Sequence, residues 1–262
     1  MQGSEFQSAE RAQHSLLSRV EQQTLLWLAA RLPAWVTSDG LTLLGLLAMG
    51  GAGLSYWLAR YTRKGLLLAV GCLAVNWFGD SLDGTLARFR NQPRPRYGFY
   101  VDHMVDTFGA LLLLGGLVLS GYMSLLVAAG LLIAYYILSI EVYLATYAIG
   151  TFHMSFGGIG PTELRILLAI GNLALFFHPG VPHVHVYGSD YALFDVGGVI
   201  AMAGMLLMAA AAAARHTVQL YRAEPLLGAA DADASPRLRM RSRSAAGKAS
   251  SHSFSVPGSG RM

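Results

Sequence analysis

Charge is what this sequence has least of. Of its 262 residues only 13% are charged and 54% are hydrophobic, whereas a soluble domain carries about 25% charged residues. The shortage excludes a disordered chain, a nucleic-acid-binding tail protein and an ordinary cytosolic enzyme, and no nucleic-acid partner is expected. Cysteine is scarcer still: Cys72 stands alone, so an internal disulfide framework is excluded. Acids are few, fifteen in all, which makes their positions informative. What the chain has in quantity is long apolar runs. Its mean hydropathy of +0.45 suits a helical protein surrounded by lipid.

Residues 1–6 read Met-Gln-Gly-Ser-Glu-Phe, and Gly-Ser-Glu-Phe is what two adjacent cloning sites encode, so this stretch is taken as a cloning remnant. No cleavable leader is expected next, because residues 7–38 are polar and amphipathic. From about Ser8 to Leu32, Leu16, Leu17, Val20, Leu25, Trp27 and Leu28 alternate with Arg19, Glu21, Gln22, Gln23 and Arg31. That is the pattern of a helix lying in the membrane interface, ended by Pro33. Six apolar stretches follow between residues 39 and 222: about Leu41–Ala59, Leu66–Leu86, Val105–Leu119, Leu125–Ala148, Leu164–Phe177 and Tyr191–Ala214. Each nears the ~20 residues that cross ~30 Å of hydrocarbon, the fifth being short. Only helices satisfy such backbones in lipid. The expected fold is an all-α integral membrane protein with six transmembrane helices behind an N-terminal interfacial amphipathic helix. Residues 223–262 turn to Ala, Ser, Arg and Asp and read as a disordered basic tail. Its Arg237, Arg239, Arg241 and Arg243 suit either anionic lipid head groups or plain solvent.

Positive charge sets the orientation. Arg11, Arg19 and Arg31 precede the first span, and Arg88, Arg90, Arg94 and Arg96 lie between the second and third. Arg165 opens the fifth, and Arg215 and Arg222 follow the sixth; the opposite face offers Arg60, Arg63 and Lys64. The bias places both termini and the second-to-third connection in the cytoplasm, as in a multi-pass protein of a bacterial inner membrane.

Four acids crowd that connection and its flanks. Asp80-Ser-Leu-Asp83-Gly84-Thr-Leu-Ala87-Arg88 is followed, after nine residues, by Gly98-Phe-Tyr-Val-Asp102-His103-Met-Val-Asp106. Asp80 and Asp83 are three apart and share a face of the second helix; Asp102 and Asp106 are four apart and share a face of the third. A hairpin joins the helices, so both faces can converge on one polar pocket near the cytoplasmic surface. Carboxylates gathered there repel one another and resist ionisation. Arg88 can neutralise one, and the others call for cations; an all-oxygen set suits Mg²⁺ or Mn²⁺, singly or as a pair. Gly84, Ala87 and Gly98 keep the pocket walls thin, so a nucleotide can approach the backbone. Salt bridges or hydrated acids at a helix end would explain one such residue more readily than four, and intramembrane acids are functional by default.

This stretch resembles the signature D-x-x-D-G-x-x-A-R, spacer, G-x-x-x-D-x-x-x-D of the CDP-alcohol phosphotransferases, with a nine-residue spacer where the commonly written pattern has eight. The resemblance covers about Trp27 to Ala214. It implies a transferase of phospholipid synthesis, in which an acceptor hydroxyl attacks the β-phosphorus of a CDP-linked alcohol and CMP leaves. It further implies that Asp80, Asp83, Asp102 and Asp106 bind two divalent cations, Mg²⁺ or Mn²⁺, that clamp the pyrophosphate. Arg88 would contact phosphate, Gly84 and Ala87 would lie beside the cytidine, and Asp106 would be the base that deprotonates the acceptor. Members of the family are often homodimers, and that expectation carries over.

Weaker likenesses favour the choline and ethanolamine branch, whose acceptor is diacylglycerol. They are the segment Trp27 to Thr42 at the entry to the first span, His103 after the third aspartate, Thr146-Tyr147-Ala148-Ile149-Gly150-Thr151, and Thr162-Glu163. On that branch His103 and Glu163 share the proton transfer. The alternatives are that His103 only orients Asp102 or Asp106, and that Glu163 is a first-turn acid after Pro161. Glu141, near Tyr135, Tyr136 and Tyr143 in the chain, suits an ammonium head group. A competing branch takes CDP-diacylglycerol as donor and inositol phosphate, glycerol phosphate or serine as acceptor. For it, Arg90, Arg94, Arg96 or Arg165 would offer a cationic subsite, unless they serve orientation alone. An ion or proton transporter is the reading from another class. It is disfavoured because the four acids gather at one membrane face, with Asp195 alone towards the other. His178, His183 and His185 read as exposed loop histidines rather than as a metal site.

Overall fold

The computed structural model describes residues 10–12, 18–149, 151–153, 161–178, 183–186 and 189–224. Residues 1–6, the residues beyond 224 and the side chains of Glu163, His183 and His185 lie outside the described residues. The chain divides into two units, Met1–Ala213 and Ala214–Met262; of the second, the described part is the end of the last helix.

In chain order the elements are β1 (Glu10–Ala12), α1 (Ser18–Ala29), α2 (Ser38–Ala59), α3 (Lys64–Phe89), α4 (Pro95–Ser120), α5 (Leu125–Ile149), β2 (Thr151–His153), α6 (Pro161–Phe177), β3 (His183–Val186), β4 (Ser189–Ala192) and α7 (Leu193–Ala223). The helical expectation holds, and four short strands are added to it. β1 runs parallel to β2, and β3 and β4 form an antiparallel hairpin. Among the described residues, five helices are long and apolar enough to cross a membrane: α2, α3, α4, α5 and α7. The sixth expected crossing is α6, whose 17 residues reach about 25 Å at 1.5 Å per residue, short of the hydrocarbon thickness. Where the sequence suggests an interfacial helix from about Ser8 to Leu32, the described residues hold β1 at Glu10–Ala12 and helix α1 over Ser18–Ala29.

Local signals set the ends that matter for the site. Thr37 caps α2 by accepting the Gly40 N–H at 3.1 Å, and Asp39 adds a negative charge to that first turn. α4 opens on Pro95, which needs no hydrogen-bond partner there, and closes on Gly121, whose φ of 80° is the left-handed C-cap conformation. The helix thus begins ten residues before its apolar stretch, and Asp102 and Asp106 stand on regular helix.

α2 is the hub, since α3 and α4 each pack along it far more than against each other. Missing side chains permit the close crossings. A Cβ on Gly79 would lie 2.6 Å from the Leu41 carbonyl oxygen, and one on Gly116 would lie 2.3 Å from that of Gly53. Backbone contact through small residues is how helices associate in lipid, where apolar side chains gain little by leaving their surroundings. Tyr56, Leu66, Leu73 and Leu117 form the core beneath. Asn172 of α6 donates to the Tyr56 hydroxyl at 2.7 Å, and Phe194 of α7 meets the same ring edge-on at 6.2 Å. Asp195, the isolated acid, accepts the Ser124 N–H at 2.7 Å and ties α7 to the start of α5. α1 buries Leu25 and Ala29 against Leu41, Leu82 and Leu86. Because α3 and α4 both lean on α2, the space between their facing ends is left to polar side chains.

Candidate active site

Asp80 enters that space from α3, and Asp102 and Asp106 enter it from α4. One carboxylate oxygen of each lies within 4.8 Å of the others. The four-residue spacing on α4 stacks its two acids one turn apart, and the shared hub α2 brings Asp80 opposite them. Three half-buried carboxylates this close repel one another unless a positive charge intervenes. One does so from an element remote in sequence: Arg165 of α6 forms an ion pair with Asp80. Its Nε also donates to Asn76 Oδ1 at 2.8 Å, and Asn76 in turn donates to the Gly45 carbonyl at 3.0 Å. Asn76 and Asp80 are four apart on α3, so Arg165 reads two successive turns of one helix face.

Asp83 is directed differently. Three residues from Asp80, it sits about 60° further round the helix, which turns it to the start of α2. Thr42 Oγ1 donates to its Oδ2 at 2.6 Å, the Gly84 N–H meets its other oxygen, and Ser38 Oγ donates to its backbone carbonyl at 2.9 Å. The structure therefore gathers three of the four expected metal-ligating aspartates into one cluster. It sets the fourth in a hydrogen-bonded seat beside it.

Gly84 leaves room for Arg88: a Cβ at 84 would lie 3.4 Å from the Arg88 guanidinium, which folds back to Thr85 Oγ1 at 3.3 Å. Around Gly98 the space is open to 4 Å. Next to Ala87 lies a cleft of about 640 Å³ lined by Ala34, Thr37, Ser38, Ala87, Arg90 and Arg94, among others. Arg90 clasps the segment before α2, donating to the Pro33 carbonyl at 2.8 Å, to that of Leu32 at 3.3 Å, and to that of Val36. Arg94 pairs with Asp39 across the mouth of the cleft and stacks over Tyr97 at 4.2 Å.

His103 is held between aromatic rings, Phe99 at 4.1 Å and Tyr143 of α5 at 4.6 Å. Its Nδ1 lies 2.5 Å from the Phe99 carbonyl. A hydrogen donated there leaves Nε2 as the acceptor of a neutral ring. Tyr136 donates to the Thr107 carbonyl at 3.0 Å. Tyr136 and Tyr143 are seven apart and share the α5 face turned to α4. Glu141, two residues from Tyr143, is about 200° round the helix from it. Glu141 itself is half-buried, with its Oε2 shielded from solvent. Glu163 stands in the first turn of α6 by its backbone, and its side chain lies outside the described residues.

Sequence reasoning missed Asn76, Thr42 and Glu21. Asn76 was signalled by being a polar residue four positions before Asp80 in an apolar run, and Thr42 by its spacing from Ser38. Glu21 accepts from Trp77 Nε1 at 2.9 Å, Ser81 Oγ at 3.4 Å and Thr162 Oγ1 at 2.8 Å.

A multi-span helical frame that gathers three carboxylates and an arginine at one place has the features of a membrane enzyme acting on a phosphate-bearing substrate. The family model for CDP-alcohol phosphatidyltransferase matches residues 35–214, and the chain belongs to that family. It is a multi-pass membrane transferase of substituted phosphate groups, acting on CDP-alcohol and lipid substrates in phospholipid synthesis. The transporter reading is thereby set aside. Comparison with curated proteins gave no match. The family is typically dependent on divalent metal, and the all-oxygen donor set of Asp80, Asp102 and Asp106 fits such a hard cation.

Proposed function

We propose that the protein transfers the phosphoalcohol group of CDP-choline or CDP-ethanolamine to the hydroxyl of diacylglycerol, releasing CMP, with Mg²⁺ or Mn²⁺ at the acidic cluster. The observation that carries the metal reading is the convergence of three carboxylate oxygens from two helices. Asp80, Asp102 and Asp106 would hold a first cation, and Asp83, seated beside them, would take part in holding a second. Bound there, the cations would supply positive charge to the pyrophosphate and to the departing CMP.

The protein's own groups do the rest. The cleft lined by Ala87 receives the nucleotide, and Arg88, given room by Gly84, reaches for its phosphate. Asp106, or His103 through Nε2, takes the proton of the acceptor hydroxyl; Phe99 and Tyr143 fix the imidazole for that purpose. In an Asp106→Asn variant, more substrate binding than turnover supports Asp106 as the base; equal losses of both count against it.

The choice of lipid as acceptor is supported by the arginines. Arg90, Arg94 and Arg165 already hold protein partners. A phosphorylated acceptor would need to draw a cationic subsite from them, whereas diacylglycerol needs none. The Arg bias supports a site opening to the cytoplasm of a bacterial inner membrane, with both termini on that side, six crossings including α6, and α1 in the interface. A matrix of donors and acceptors read by CMP release tests the choice. Release with CDP-choline or CDP-ethanolamine and diacylglycerol is expected. Release confined to CDP-diacylglycerol with inositol phosphate, glycerol phosphate or serine would overturn it.

A further inference from the structure

Glu21 has a place that its amphipathic helix does not require. A single carboxylate oxygen, Oε1, takes hydrogens from Trp77 and Ser81 of α3 and from Thr162 of α6. Trp77 and Ser81 are four apart, and each immediately follows one of the two α3 residues that Arg165 binds, Asn76 and Asp80. On α6, Thr162 and Arg165 are three apart and so lie on one side of the helix. The start of α6 is thus joined to α3 at two neighbouring points: Glu21 bridges one, and Arg165 makes the other on an aspartate of the acidic cluster. α1 is itself anchored, because Leu25 and Ala29 are buried on Leu82 and Leu86. These two leucines occupy variable positions of the acidic motif, on the side of α3 away from Asp80.

We propose that Glu21 is a positioning residue of the acidic site: by fixing Thr162 against α3 it holds Arg165 on Asp80, where the guanidinium competes with an arriving divalent cation. The inference rests on the metal reading of the cluster given above. A carboxylate that binds a guanidinium offers less negative charge to a cation, so the firmness with which Arg165 is held sets the cation affinity of the site.

Mn²⁺ binding to the full-length protein in detergent, followed by electron paramagnetic resonance of the free ion, tests this. Both Glu21→Gln and Glu21→Ala remove the same charge, but Gln keeps an oxygen to accept from Thr162 and Trp77 while Ala does not. Their difference therefore isolates position from charge. Glu21→Ala is expected to bind Mn²⁺ about three-fold more tightly than Glu21→Gln, within the range of coupling between residues of one network. Arg165→Gln is expected to bind it about ten-fold more tightly than the unaltered protein. In the Arg165→Gln background the Ala and Gln variants at 21 should then bind alike. Equal affinities with Arg165 present, or a difference that persists without it, would overturn the inference. So would a fall in melting temperature that leaves the Gln and Ala affinities equal. If the unaltered protein binds no Mn²⁺, the metal reading itself fails and this inference with it, whereas binding without the coupling refutes the inference alone.

Discussion

The crossing of α2 and α4 at Gly53 and Gly116 supports the site from beneath, and adjacent glycines make it testable. Alanine at 116 would place its Cβ 2.3 Å from the Gly53 carbonyl oxygen and 2.4 Å from the Gly53 Cα. Since van der Waals contact begins near about 3.5 Å, the two backbones must part by about 1 Å. Neither neighbour is the end of a flexible side chain, so the strain falls on the helices and costs about 1–3 kcal/mol. Gly115, one residue away, has nothing within 4 Å of its would-be Cβ, and alanine there adds helix propensity worth up to about 1 kcal/mol. Asp106 lies about 15 Å along α4 from Gly116, and metal–oxygen distances tolerate only about 0.2 Å. A displaced α4 therefore misaligns Asp102 and Asp106 against Asp80. Gly116→Ala should lower the melting temperature by about 3–10 °C and weaken CMP release, while Gly115→Ala should leave both unchanged or raise the melting point. Thermal unfolding in detergent and the CMP assay read the two effects. If Gly116→Ala retains both properties, or if the two glycines respond alike, the close-crossing argument is wrong.

Three further outcomes follow from the site. Asp102→Asn should reduce CMP release by well over about 100-fold, more than the loss of an outer-shell partner costs; full activity would refute the metal assignment. Chelation with EDTA should abolish CMP release, and added Mg²⁺ or Mn²⁺ should restore it; activity that survives thorough chelation would contradict the cation requirement. Glu141→Gln should change the preference between CDP-choline and CDP-ethanolamine, because the substitution removes the half-buried charge that suits an ammonium head group. An unchanged preference in the donor matrix would refute a head-group role for Glu141.

Much of the frame was legible without coordinates because lipid restricts the choices. An apolar run of twenty residues has to be helical, so the starts and ends of α2, α3 and α5 follow from composition within a few residues. The pairing of Asp102 with Asp106 follows from the helical repeat alone. Legibility fails where the repeat is coarse or the partner is distant. Asp80 and Asp83 share a helix side on paper, but the 60° between them is enough for Thr42 to draw Asp83 towards α2 while Asp80 faces α4.

From its sequence alone this protein is a membrane-embedded helical chain with one acidic hairpin, because shortage of charge and spacing of carboxylates are properties of the chain itself. The tertiary structure alone decided which charges meet. Arg165 reaches Asp80 across 85 positions, and Glu21 reaches Thr162 across 141. Such distances in sequence leave no periodic trace. They are closed by α1 and α6 packing against α3, a geometry that depends on the shape of whole faces rather than on the spacing of any two residues.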